Sequence, residues 1–108
     1  MAIDAFVFES DKGREFAKAS ARLADSKTVD ELCKLIRLQG TAREFPIILG
    51  QILYHGMTKG GSVPVEKLPS LIQELERLKT EEALTKKFKK DLLSLCKTAM
   101  DTERPIIF

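Results

Sequence analysis

Residues 45–56 form the most apolar run in the sequence, and they constrain the fold more than any other stretch. Pro46 suits the first position of a helix, where no backbone N–H is needed, and Gly56 suits the left-handed position after a last turn. Between them, Ile, Leu and Tyr side chains cover nearly the whole circumference, which is typical of a helix packed on several sides. The run predicts a central apolar helix over residues 46–55.

The length and composition of the chain are those of one globular domain spanning residues 1–108. Residues 1–54 carry eight acidic and eight basic side chains, and residues 55–108 carry eight and ten, so the net charge of +2 is too small for a typical nucleic-acid-binding protein. No apolar run reaches the roughly 20 residues that a membrane span needs. Without a secretory signal pattern, we expect a cytoplasmic protein.

The first third of the chain predicts one strand and two helices. Residues 3–8 are rich in Phe and Val and predict a strand with both faces covered. Residues 13–24 place Phe, Ala and Leu at helical spacing and predict an amphipathic helix. A second helix is predicted over residues 29–38, because Thr28 and Glu31 have the spacing of a capping box.

The second half predicts a loop followed by two helices. Two adjacent glycines and a proline indicate that residues 57–64 are irregular. A helix over residues 65–79 follows, with leucines on its buried face and Glu74 among the residues expected to face water. Thr80 is predicted to cap a last helix that ends near residue 100. Whether these two helices are continuous is left open.

The terminal segments complete the predicted fold. Residues 106–108 are apolar and β-prone, and we expect them to pair with residues 3–8, because a lone apolar tail in water is unfavourable. The prediction is therefore a mostly helical α+β domain, in which four or five helices surround the central apolar helix and the N- and C-terminal strands form a small sheet. The alternative is an all-α bundle.

Few residues in the sequence are suited to catalysis or to metal binding. His55 is the only histidine, so a site with two imidazole ligands is excluded, and its position at a helix end is explained by the helix dipole. Cys33 and Cys96 fall on apolar helical faces and are expected to be core residues without a disulfide. We therefore predict no catalytic residue, no metal site, no cofactor and no enzymatic activity.

Two groups of residues are candidates for binding a partner. Lys86, Lys87, Lys89 and Lys90 surround Phe88, and this run is either a solvated helix face or a docking patch for an acidic partner. A smaller group, Tyr54 and Met57, flanks the end of the central helix.

Tyr and Met are enriched at protein interfaces, although buried Tyr54 and Met57 side chains would be ordinary core. Both interpretations remain open from the sequence.

Residues 43–79 carry a recurring bacterial pattern. Its parts are the step Phe45-Pro46, an apolar helix ending in Leu53-Tyr54-His55-Gly56, a short loop, and an acidic-aliphatic helix over residues 68–78. This third of the chain resembles small immunity proteins of bacterial polymorphic toxin systems and related uncharacterised bacterial proteins. The resemblance implies a non-enzymatic protein that binds and neutralises a cognate toxin by occluding it.

A second functional hypothesis is a small regulatory or nucleic-acid-associated helical domain that uses the basic face of residues 86–90. The charge balance makes binding to nucleic acid the less favoured of the two.

Overall fold

The computed structural model describes residues 3–8, 17–41, 43–53 and 61–108, and the chain adopts the predicted α+β fold. Helices α1 to α4 and strands β1 to β4 follow one another along the chain as β1 (Ile3–Phe8), β2 (Ala17–Ala24), α1 (Val29–Arg37), α2 (Ile48–Ile52), β3 (Ser62–Val63), α3 (Leu68–Arg77), α4 (Ala83–Thr102) and β4 (Ile106–Ile107). Of these, α2 is π-helical, and a 3-10 turn over Val65–Lys67 leads into α3.

The four strands form one antiparallel sheet in the order β2-β1-β4-β3. Phe6 of β1 lies opposite Ile107 of β4, so the predicted pairing of the two chain ends is confirmed. Ser62, which the sequence placed in a loop, lies opposite Ile107 from the other side. The sheet is therefore larger than predicted, because β2 and β3 also join it.

Strand β2 corrects the helix predicted over residues 13–24, of which residues 13–16 lie outside the described part. Lys18, Ser20 and Arg22 are exposed and alternate with less exposed small residues, and Leu23 is buried. This alternation has the period of a strand, and pairing with β1 outweighs the intrinsic helical preference of the alanines. An ion pair between Arg22 and Asp4, 2.8 Å apart, joins the two strands on their outer face.

The hydrophobic core lies between the sheet and the helices. Ile3, Ala5 and Val7 are buried, whereas the intervening residues of β1 are half-buried, so the second face of the strand is less covered than predicted. Helix α4 contacts α1, α3, β1, β2 and β4. Its buried side chains include Phe88 and Leu92, and they tie the other elements into one core.

The mid-chain segment is helical over residues 46–53, and this part agrees with the prediction from sequence. Its side chains are largely buried, with Ile48 and Ile52 fully so. The predicted end of this helix at residues 54–56 lies outside the described residues. The arrangement of the other helices around it stays a prediction.

The start of α1 differs from the predicted capping box. Thr28 precedes the helix but makes no side-chain cap, and Asp25 supplies the hydrogen bonds instead. The Asp25 carboxylate accepts from the N–H of Lys27, the N–H of Thr28 and the Thr28 hydroxyl, each at 2.9 Å. The Thr28 hydroxyl, followed by the two N–H groups, lowers the pKa of Asp25. The capping box does not form, because the Thr28 hydroxyl donates to the Asp25 carboxylate instead of accepting from the first turn of α1.

Helices α3 and α4 are separate, and the predicted cap at Thr80 was also wrong. Extended backbone at Leu78 ends α3, and Glu82 is the residue that precedes α4. The Thr85 hydroxyl donates to the Glu82 carbonyl at 2.9 Å within the first turn. Glu103, in the left-handed conformation, then ends α4 and directs the chain back toward β4.

Candidate functional site

A buried carboxylate, Glu74 of α3, connects α3 to the start of the mid-chain helix. Because the mid-chain helix begins at Pro46, the N–H groups of Ile47 and Ile48 lie in its first turn and have no intrahelical partners. Oε1 of Glu74 accepts from both, at 3.0 and 3.1 Å, and Oε2 lies 3.2 Å from the Ile47 nitrogen. Glu74 was predicted to face water, but only 3% of it is exposed, because these two donors hold it inward.

The electrostatics of Glu74 reflect its burial. Loss of water around the carboxylate raises the pKa of Glu74, while the N–H groups of Ile48 and Ile47 and the positive charge of Arg77 oppose the rise. The sign of the shift means that desolvation outweighs the favourable partners. Glu74 of α3 therefore caps the N-terminus of the mid-chain helix with its side chain.

Four further contacts attach Gln39, Glu44 and Phe45 to the end of α3. Gln39 Nε2 donates to the Lys79 carbonyl at 3.0 Å, and the Lys79 N–H donates to Gln39 Oε1 at 2.6 Å. The guanidinium of Arg77 donates to the Glu44 carbonyl and lies over the Phe45 ring, 5.7 Å from its centroid. The connection between α1 and the mid-chain helix is thus fixed by side chains rather than by a sheet or helix.

A groove of about 590 Å³ lies between this connection and α3. It is lined by Gln39 and residues 43–46 on one side, and by Ser70, Gln73, Glu74 and Arg77 on the other. The Arg43 side chain is exposed and forms no hydrogen bond or ion pair with any part of the chain that the structure describes. Next to Gln39 along the chain, the Leu38 side chain is 81% exposed.

The four predicted lysines of α4 divide into two pairs. Lys87 donates to the Arg22 carbonyl at 2.9 Å and pairs with Asp91 at 2.8 Å, so it fastens α4 to β2. Lys89 is half-buried, with its ammonium 3.5 Å from the Leu78 carbonyl.

Lys86 and Lys90 are exposed, and neither has a hydrogen-bonding or ionic partner within the described ranges. The structure therefore leaves two of the four lysines available on the surface.

The exposed pair extends along α4 into a longer stripe. Lys97 lies on the same side of the helix, and Leu93 and Met100 complete the spacing at steps of three and four residues. Met100 is 43% exposed and Leu93 is half-buried. We call Lys86, Lys90, Leu93, Lys97 and Met100 the basic stripe; at about 1.5 Å per residue it is roughly 21 Å long.

The remaining candidate residues are Tyr54, His55, Met57 and the two cysteines. Tyr54, His55 and Met57 lie outside the described residues. Both cysteines are free; burial raises the pKa of Cys96 to about 12, and burial of half-buried Cys33 also raises its pKa.

In the described part of the chain, no three His, Cys, Asp or Glu side chains are grouped so that they could hold a metal ion. The described helices likewise include none long and apolar enough to cross a bilayer.

Comparison with models of protein families, with curated proteins and with solved structures gives no match. The two surfaces are therefore interpreted from their own geometry.

Sequence reasoning missed the groove, although one signal was present. Glu74 stands three residues after Leu71 and four before Leu78, which is an inward position on the apolar face of α3. A charged residue at such a position indicates a buried partner.

Proposed function

We propose that the chain is a non-enzymatic protein-binding module that docks an acidic surface of a partner protein against the basic stripe of α4. The observation that carries this proposal is that Lys86, Lys90 and Lys97 lie exposed along one helix face, without ionic partners in the described residues. Such charges raise the association rate and the selectivity for oppositely charged partners.

The rest of the stripe supports a protein as the partner. Met100 and Leu93 place apolar surface beside the lysines, and protein interfaces combine such contacts with a polar rim. The helix that carries them is anchored by the buried side chains of Phe88 and Leu92, so little conformational entropy is lost on binding. In this proposal the buried mid-chain segment only stiffens the scaffold.

The specific form that we propose is an immunity-type inhibitor that neutralises a cognate bacterial toxin. Its support is the resemblance of residues 43–79 to small immunity proteins. Neutralisation would be steric, with a preformed surface covering the active region of the toxin. Tyr54 and Met57 stay predicted contributors to that surface.

The first test is co-expression with the product of the adjacent gene. We expect a stable complex and relief of growth inhibition when that product is toxic. Absence of a complex, with no toxin encoded nearby, would contradict the immunity hypothesis.

The second test separates the stripe from general surface charge. Lys90→Glu is expected to slow association with the partner about three- to tenfold and to flatten its salt dependence. Lys34→Glu is the matched control, because Lys34 is also an exposed helical lysine but lies on α1.

An equal loss in both variants would contradict docking on the stripe. Binding of duplex DNA or RNA that weakens steeply with salt and depends on Lys90 would instead favour the nucleic-acid hypothesis.

A further inference from the structure

We propose that the groove between α3 and the connection at residues 39–46 binds an acidic peptide segment of a partner protein, through the guanidinium groups of Arg43 and Arg77. The site is distinct from the basic stripe, and its test does not depend on the function proposed above.

The cations of the groove are two arginines held differently. Arg77 stacks over Phe45 and donates to the Glu44 carbonyl, so its guanidinium plane is fixed in position. Arg43 is exposed and unpaired within the described residues, and it is free to meet a ligand. Arginine presents several N–H donors in a planar fork that matches the two oxygens of a carboxylate. The groove therefore has one preorganised donor, Arg77, and one donor that can adapt to the ligand, Arg43.

The acids that line the groove leave the charge of Arg43 unpaired, whereas the charge of Arg77 acts on Glu74. The Glu74 carboxylate is directed inward and is occupied by the N–H groups of Ile47 and Ile48. Glu44 lies against the backbone of Gly40, where an added Cβ would come within 2.5 Å of its carboxylate. Neither acid forms an ion pair with Arg43, so the charge of that side chain remains available.

Two exposed apolar side chains, Leu38 and Pro46, flank Arg43 along the chain. Leu38 is 81% exposed, and its neighbour Gln39 is held in place by two hydrogen bonds to the Lys79 backbone. The exposed ring of Pro46 lines the groove as well. An exposed leucine five residues before an unpaired arginine fits a ligand that has an aliphatic side chain close to a carboxylate. A groove of about 590 Å³ holds a short peptide rather than a folded surface.

The test is a titration of the isotope-labelled chain with a capped peptide of alternating glutamate and leucine, followed by amide NMR. We expect saturable shifts confined to residues 38–47 and 70–77. The same peptide with glutamine in place of glutamate should bind at least about tenfold more weakly, since charge-assisted hydrogen bonds are lost. Inorganic phosphate is titrated in parallel as a small-anion probe.

Four variants localise the contact. Arg43→Gln should weaken binding about tenfold, whereas Arg37→Gln, at an exposed arginine of α1 that does not line the groove, should leave it unchanged. Leu38→Ser should weaken binding about fivefold, and Met100→Ser, at an exposed apolar side chain of the basic stripe outside the groove, should not. All four positions are exposed, so the variants should fold normally, and thermal unfolding verifies this.

Several results would overturn the proposal. Shifts along α4 instead of the groove would assign the peptide to the basic stripe. Equal losses in Arg43→Gln and Arg37→Gln would show that only general charge matters. Displacement of the peptide by phosphate at equal concentration would show that the groove is a small-anion site. Equal binding of the glutamate and glutamine peptides would contradict recognition of the carboxylates by the arginines.

Discussion

Replacement of Glu74 tests whether one buried carboxylate holds the connection between α1 and the mid-chain helix. In Glu74→Ala the N–H groups of Ile47 and Ile48 lose their acceptor while remaining in a buried part of the chain. Each buried donor left without an acceptor destabilises the fold by about 1–3 kcal/mol. Removing the buried charge of Glu74 stabilises the fold and offsets part of this loss. We therefore expect Glu74→Ala to lower the free energy of unfolding by about 2–4 kcal/mol.

Glu74→Gln separates the hydrogen bonds from the charge. A single oxygen, Oε1, accepts from both backbone donors, at 3.0 and 3.1 Å, and a glutamine oxygen can take the same place. The amide nitrogen then stands where Oε2 lies, facing the Ile47 N–H, and the charge assistance is lost. The expected loss of about 1 kcal/mol is clearly smaller than that of the alanine variant.

The pH dependence of folding stability independently tests the direction of the Glu74 pKa shift. Because the pKa of Glu74 is raised by folding, the native chain binds more protons than the unfolded chain above the ordinary pKa of a glutamate. The contribution of Glu74 to stability is therefore greatest at about pH 4 and falls as the pH rises through the folded pKa. The stability advantage of wild type over Glu74→Gln should shrink between about pH 4 and about pH 7.

Urea unfolding followed by far-UV circular dichroism measures all three chains at both pH values. A loss of about 3 kcal/mol moves the midpoint by on the order of 2 M urea for a domain of this size. Glu76→Ala, at an exposed glutamate of the same helix, is the control and should change stability by less than about 0.5 kcal/mol. Equal losses in the alanine and glutamine variants, or an advantage that grows with pH, would refute the reasoning.

Three further predictions follow from close packing and burial. Gly40→Ala should cost about 1–3 kcal/mol in urea unfolding, because the new Cβ would stand 2.7 Å from a carbon of the buried Phe45 ring. Gly50→Ala should raise the thermal midpoint and add about 0.5–1 kcal/mol, since the space at Gly50 is open and alanine loses less backbone entropy in a helix. With a thiol-specific reagent near neutral pH, Cys33 should react slowly and Cys96 only after unfolding, because burial raises the pKa of each and Cys96 is fully covered.

The candidate surfaces were only partly predictable from sequence. The pattern at residues 86–90 identified the lysines of α4, but four equal charges could not be ranked by sequence alone. Lys87 is occupied by Asp91 and by a carbonyl of β2, and Lys86 is left exposed. That distinction depends on β2, a strand that the sequence analysis had assigned as a helix.

The apolar character of residues 106–108 led to their predicted pairing with residues 3–8. Local pattern alone determined the strand at residues 3–8 and the helices at α1, α3 and α4. These features follow from the spacing of apolar residues and from proline, which act within one or two turns of the chain.

Only the tertiary structure decided that residues 17–24 pair as a strand and that Glu74 turns inward to groups 27 and 26 residues earlier in the chain. Spacing indicates which side chains share a face, but it does not indicate which distant backbone donors that face will meet. The groove exists because those long-range hydrogen bonds join α3 to the chain after α1, and no short stretch of sequence encodes both partners.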